Sequence, residues 1–91
     1  MRKLMNLQLY SLEGGILSFP QVQSISIKDS KHGSFSCYPS HIPCIIQLKN
    51  SLLRIVSKQG ERTFELENGC VLIPLPNKVH ITATVLRETQ S

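Results

Sequence analysis

Short alternations of apolar and polar residues, broken by turn residues at roughly 8–12-residue spacing, run the length of the chain and mark it as all-β. Leu7 and Leu9 alternate with Asn6, Gln8 and Tyr10, the pattern of a half-buried strand. Gly14-Gly15 can take positive φ and so reverse the chain into Ile16-Leu17-Ser18-Phe19. Pro20 has no N–H to give to a ladder and is expected to end that strand. From Val22 to Lys28, Ile25 and Ile27 share one face and Ser24 and Ser26 the other. Asp29-Ser30-Lys31-His32-Gly33 is polar and closes on glycine, so it reads as a loop.

The second half carries the same alternation. Cys44-Ile45-Ile46-Gln47-Leu48 begins an apolar strand. Leu52 to Lys58 and Arg62 to Glu67 are joined through Gln59-Gly60-Glu61. Arg62 to Glu67 and Cys70 to Leu75 are joined by Asn68-Gly69, the strongest short hairpin signal, because a type I′ turn takes positive φ at both central residues. Pro74-Leu75-Pro76-Asn77 turns the chain again. Val79, Ile81, Ala83 and Val85 then alternate with His80, Thr82, Thr84 and Leu86, which predicts one β-branched strand with a single dry face. The expectation is a four-strand meander within one antiparallel β domain that fills residues 1–91, with no helix, repeat or linker.

Composition narrows the classes. Hydrophobic residues make up 41% and charged residues 18%, which excludes a disordered chain. No apolar run approaches the roughly 18 residues of a membrane-spanning helix. Met1-Arg2-Lys3-Leu4 has the charge of a signal-peptide start, but Asn6, Gln8 and Ser11 interrupt the apolar stretch that should follow, so the chain is expected to stay in the cytoplasm. Cys37, Cys44 and Cys70 are odd in number and read as reduced thiols rather than a disulfide framework. The net charge of +4 admits a small basic β-barrel that binds single-stranded nucleic acid. Against that alternative, the basic residues never form a run and Trp is absent, which leaves a poor stacking platform.

Chemistry concentrates between His32 and Cys44. His32, Cys37, His41 and Cys44 are all possible metal ligands, but the order His-x4-Cys-x3-His-x2-Cys matches no standard zinc knuckle. His41 could activate Cys37 or Cys44 as a nucleophile, yet no helix N-terminus is predicted to lower a thiol pKa, and Cys44 opens an apolar strand. The third reading is docking: Tyr38-Pro39 and Ile42-Pro43 stiffen an extended loop that presents His41 at its centre. The bland version of that reading has His41 bonding the loop's own backbone. Glu61, Glu65 and Glu67 suit a solvated hairpin face, and His80 lies on the polar side of its strand. No phosphate-loop, dinucleotide-fold or HExxH motif is present. The residues describe a binding or scaffold module, with no cofactor expected.

The same stretch carries a family resemblance. Gly33-Ser34-Phe35-Ser36-Cys37-Tyr38-Pro39-Ser40-His41-Ile42-Pro43 resembles the Gly-x-[Phe/Leu]-Gly-x-x-Pro-x-His-Ala-Pro stretch of the epsilon subunit of bacterial F-type ATP synthases. Leu48-Lys49-Asn50-Ser51-Leu52-Leu53-Arg54-Ile55 is similar to that family's Leu-Lys-x-Gly-x-Leu-Arg-Ile/Val. Asn68-Gly69-Cys70-Val71-Leu72 resembles its Gly-Gly-x-Leu, and Asn77-Lys78-Val79-His80-Ile81-Thr82-Ala83 its Asn-x-Val-Thr-Val-Leu-Ala. Leu7 to Phe19 fits the opening strands in order.

The resemblance implies a flattened antiparallel β-sandwich of two roughly five-stranded sheets. It implies a non-catalytic rotor subunit in the central stalk, on the cytoplasmic face of the bacterial plasma membrane. Its partners would be the gamma subunit and the c-ring, with no nucleic acid, and it would help couple ion flow to ATP synthesis. The ring-facing edge would comprise Ser34, Phe35, Tyr38, Ser40, His41 and Ile42, with Phe35 as a possible core residue, while the gamma-facing residues stay unassigned. Leu72 and Ile73 point to opposite faces of one strand, so one of them is expected to be covered by a partner. Three departures stand out. The sequence stops at Ser91, so the family's C-terminal helical hairpin, with its regulatory inhibition and ATP binding, is not expected. Ser34 replaces a frequent acidic residue, and Ser36 and Ser40 replace glycines.

Overall fold

A computed structural model of the chain describes residues 4–13, 15–37, 44–75 and 77–89. Nine strands lie among them: β1 (Met5–Ser11), β2 (Gly15–Asp29), β3 (Gly33–Cys37), β4 (Cys44–Gln47), β5 (Asn50–Ser57), β6 (Gly60–Glu67), β7 (Cys70–Leu75), β8 (Lys78–Ala83) and β9 (Val85–Thr89). They form one hydrogen-bonded sheet in the order β4-β7-β8-β1-β2-β5-β6-β9, with β3 also paired to β2.

The long strand β2 turns this single sheet into two layers. Its first part pairs with β1, from Ser11↔Gly15 to Leu7↔Phe19. Its second part pairs with β5 on one edge and β3 on the other. Between them Gln21 adopts φ 57°, and the register with β1 shifts between Leu7 and Met5. Pro20 therefore bends the strand and does not end it, correcting the expectation: it withholds one ladder bond at a bulge, and the chain continues into the other layer. Layer one is β4-β7-β8-β1 with the start of β2, and layer two is β3, the end of β2, β5, β6 and β9. These are the two five-stranded halves of a β-sandwich.

The inward positions of both layers merge into one core. Leu7 and Leu9 of β1, Val71 and Ile73 of β7, and Val79 and Ile81 of β8 meet Ile25, Ile27, Leu53, Ile55, Phe64 and Leu66 from the second layer. Each such side chain contributes about 1.5–3 kcal/mol by leaving water. Phe19 of layer one meets Phe64 of layer two edge-on, with ring centroids 6.0 Å apart. The Arg62 guanidinium lies 5.0 Å from the Phe19 ring and 5.3 Å from that of Phe64, while it pairs with Glu88 at 2.7 Å. A charged lid thus seals that end of the core.

Two further expectations change. β6 and β7 do not form a hairpin: β6 pairs with β5 and β9, and β7 with β4 and β8. Asn68 has φ 51°, but Gly69 is not in the left-handed region, so the pair crosses between layers. The predicted strand from Val79 onward breaks at Thr84, where β8 leaves layer one and β9 enters layer two. Val85 is consequently exposed, although Val79, Ile81 and Ala83 are buried. The meander of neighbouring strands is replaced by repeated passage between layers. β8 also runs parallel to β1, so the sheet is mixed.

Candidate functional site

The proline-rich segment predicted to dock lies in sequence between β3 and β4. Tyr38, Ser40, His41 and Ile42 lie outside the described residues. Ser34 is exposed on the outer face of β3. Phe35 pairs with Ile27 and packs against the core. The structure therefore separates these two neighbours, one available to a partner and one structural.

Asp29 braces the β2–β3 turn, at the end of β3 away from that segment. Its Oδ2 accepts hydrogen bonds from the backbone amides of Lys31 (3.2 Å) and His32 (2.9 Å). Its Oδ1 accepts from the Lys49 amide (2.9 Å) and the Ser51 hydroxyl (2.7 Å). The first two bonds form an Asx-type turn between β2 and β3, and the last two tie that turn to β5. Asp29 is 4% exposed. Burial pushes its carboxyl up, but the Ser51 hydroxyl and the amides of Lys49, His32 and Lys31 outweigh that effect and hold it at about 2. A second strut is His32, whose Nε2 lies 2.8 Å from the Gln47 carbonyl at the end of β4. The cluster thus ties the β2–β3 turn to the end of β4 and the start of β5. Asp29 was not among the residues singled out in sequence; the turn signal was visible, whereas its bonds to β5 depend on the tertiary fold.

Of the reactive residues weighed in sequence, the structure describes the side chains of His32 and Cys37. His32 is engaged with Gln47, and Cys37 is 3% exposed in the core beside Ile25. His41 and the Cys44 side chain lie outside the described set. Among the described residues, no three His, Cys, Asp or Glu side chains converge as a metal site. Glu61, Glu65 and Glu67 pair with Arg54 at 2.6 Å and Arg87 at 3.4 and 3.9 Å on exposed β6, as the solvated-face reading expects. The hydrogen-bonded guanidinium of Arg54 lowers the Glu61 carboxyl, and that of Arg62 lowers Glu88.

The outer faces of the two layers differ. On layer one, the strand registers place Ile45, Leu72, His80, Gln8 and Ser18 in one row across five strands. Gln47, Cys70, Thr82, Tyr10 and Ile16 form the next row. Ile45 is 71% exposed, Ile16 61% and Leu72 38%, while Ile73 turns inward at 6%. Tyr10 stacks on His80 at 5.8 Å, its hydroxyl 3.1 Å from His80 Nδ1 and donating to the Gln8 side chain. These polar groups satisfy one another sideways, which keeps the face flat. Layer two carries the row Ser34, Lys28, Leu52, Glu65 and Arg87 together with the ion pairs above.

The fold thus defines a two-layer β domain whose layer-one outer face carries the exposed apolar residues Ile45, Ile16 and Leu72. Residues 4–88 match the family model described as ATP synthase, Delta/Epsilon chain, beta-sandwich domain, and the chain belongs to that family. Its fold is similar to a chain in the central stalk/c-ring structure of Tetrahymena thermophila mitochondrial ATP synthase, with TM-score 0.72 and 18% identity over 93% of this chain and 66% of that one. It is also similar to a chain of the Euglena gracilis mitochondrial ATP synthase structure containing OSCP, F1 and the c-ring, with TM-score 0.76 and 18% identity over 93% of this chain and 53% of that one. The chain therefore spans less than two thirds of either neighbour's length.

Proposed function

We propose that this chain is a non-catalytic rotor subunit of an F-type ATP synthase that links the gamma subunit to the c-ring. The observation that carries the reading is the family match over nearly the whole described fold, residues 4–88. In this role the segment from Ser34 to Ile42 faces the ring, with Ser34, Tyr38, Ser40, His41 and Ile42 as contacts. Phe35 supports the loop from below, because it packs against the core. The apolar outer face of layer one, with Ile45, Leu72 and Ile16, faces gamma. The subunit works mechanically, passing rotation between two partners, and has no active site of its own. It sits peripherally on the cytoplasmic side of a bacterial membrane, held there by the complex.

The nucleic-acid reading gains nothing from the folded surface. Arg54, Arg62 and Arg87 are each tied to a carboxylate, and Tyr10 is stacked on His80. Co-elution with the gamma subunit from the same genome tests the proposal. A one-to-one complex at micromolar concentration is the expected result, and its absence would leave the chain with the fold but not the role.

A further inference from the structure

We infer that Asn68-Gly69 is a site of self-modification, at which the folded chain loses ammonia and Asn68 becomes aspartate or isoaspartate. Backbone geometry selects both residues. Asn68 has φ 51°, a conformation that Asn adopts far more readily than most side chains do. Gly69 is fixed by the Thr82 carbonyl oxygen, 2.6 Å from where a Cβ would stand. The contact that demands glycine therefore gives Asn68 the one neighbour with no Cβ to shield its backbone nitrogen. Asn68 is exposed, and its side-chain amide bonds to no described residue. The Gly69 N–H likewise donates to no described group, although the Gly69 carbonyl accepts from the Leu48 amide at 2.8 Å. Such an N–H gives up its proton without first losing a hydrogen bond. Lys31 and Lys49 line the same depression as Asn68 and Gly69, about 230 Å³, and no carboxylate lines it. Their ammonium groups favour negative charge as it develops, first on the backbone nitrogen and then on the carboxamide oxygen.

The Gly69 nitrogen passes its proton to water or hydroxide and forms a bond to Asn68 Cγ. The Cγ–Nδ2 bond breaks, Nδ2 takes up a proton and leaves as ammonia, and a cyclic imide remains. Water then opens the imide. Cleavage at Cγ gives aspartate, and cleavage at the main-chain carbonyl gives isoaspartate. One water is consumed, one ammonia is released, and nothing is oxidised or reduced. Aspartate keeps the length of the main chain and tolerates the left-handed conformation. Isoaspartate adds a methylene between Asn68 N, which donates to Lys49 O at 3.0 Å, and Gly69 O, which accepts from Leu48 N. That form cannot keep both bonds unstrained. In either form the new carboxylate stands in the depression with Lys31 and Lys49, which answer its charge.

The full chain is incubated in mildly alkaline buffer made with heavy-oxygen water, both folded and in urea, and mapped by mass spectrometry. In the folded chain Asn68 is expected to convert at least about tenfold faster than Asn6, Asn50 and Asn77, and to take up heavy oxygen from the water. Lys31→Gln combined with Lys49→Gln changes two exposed side chains. It is expected to slow conversion at least about threefold in the folded chain and to leave the rate in urea unchanged. An unchanged urea midpoint shows that the double variant is folded, and each single variant gives the same comparison should the pair lower it. If folded Asn68 converts no faster than Asn50 or Asn77, while the chain in urea reacts freely, the crossing protects its own amide and the inference fails. Equal folded rates for the lysine variants and the parent also overturn it, because the depression then contributes nothing.

Discussion

Asp29 serves four donors with two oxygens, so its charge state controls the turn between β2 and β3 and its tie to β5. Its carboxyl titrates at about 2 when folded and at about 3.9 when unfolded. A depressed folded value stabilises the fold above the unfolded pKa, and that stability is lost as pH falls from about 4 towards 2. The contribution is about 2 kcal/mol, and acid titration of unfolding free energy should show that loss in the wild type. Asp29→Asn offers one accepting oxygen and turns an NH2 towards the other donors. We expect it to lower stability at pH 7 by about 2–3 kcal/mol in urea denaturation and to flatten the dependence between pH 4 and 2. A variant with full stability and an unchanged acid slope would mean that the four bonds are incidental. In sequence this residue was legible only as the start of a polar turn. Two of its donors come from Lys49 and Ser51, and nothing local announces that pairing.

At the scale of elements, the alternation located the strands but not their partners. Period-two patterning reports which side chains share a face, and every buried position of β5 and β6 follows it. It does not say to which layer a strand belongs, and that is where Asn68-Gly69 misled. The layer crossings at residues 48–49, 68–69 and 84 are bonded to one another: Leu48 N to Gly69 O at 2.8 Å, Asn68 N to Lys49 O at 3.0 Å and Thr84 N to Glu67 O at 3.0 Å. Gly69 is required here by close approach, since a Cβ would stand 2.6 Å from the Thr82 carbonyl oxygen. Gly69→Ala should therefore destabilise the domain by about 1–3 kcal/mol. Gly69→Asn separates the two explanations. A left-handed turn position tolerates Asn, whereas a backbone contact rejects it as firmly as Ala. Equal losses for both variants in chemical denaturation are expected, and a mild Asn variant would mean that backbone conformation, not close approach, selects glycine here.

For the whole molecule, function depends on which surfaces the topology leaves uncovered. That Leu72 and Ile73 oppose one another was readable from the strand alone. That Leu72 lies outward beside Ile45 required the pairing of β4 with β7, two segments separated in sequence by β5 and β6. The segment proposed to face the ring, conversely, draws attention by its prolines and histidine alone, because its chemistry is local. The stalk reading makes the two outer faces unequal. Ile45→Glu and Leu72→Glu place charge on exposed positions of layer one, where they should leave thermal unfolding nearly unchanged and yet abolish the gamma complex. Charge desolvated at the centre of an apolar contact should lower affinity at least about a hundredfold. Leu52→Glu is the matched control. It too is a half-exposed leucine, 44% against 38% for Leu72, but it lies among Lys28 and Glu65 on layer two. Its gamma complex should persist. The reverse outcome, with Leu52→Glu losing the complex and the layer-one variants keeping it, would move the gamma interface to the charged face. Since these substitutions differ chiefly in the layer they alter, a comparison of three dissociation constants decides the orientation of the domain in the stalk.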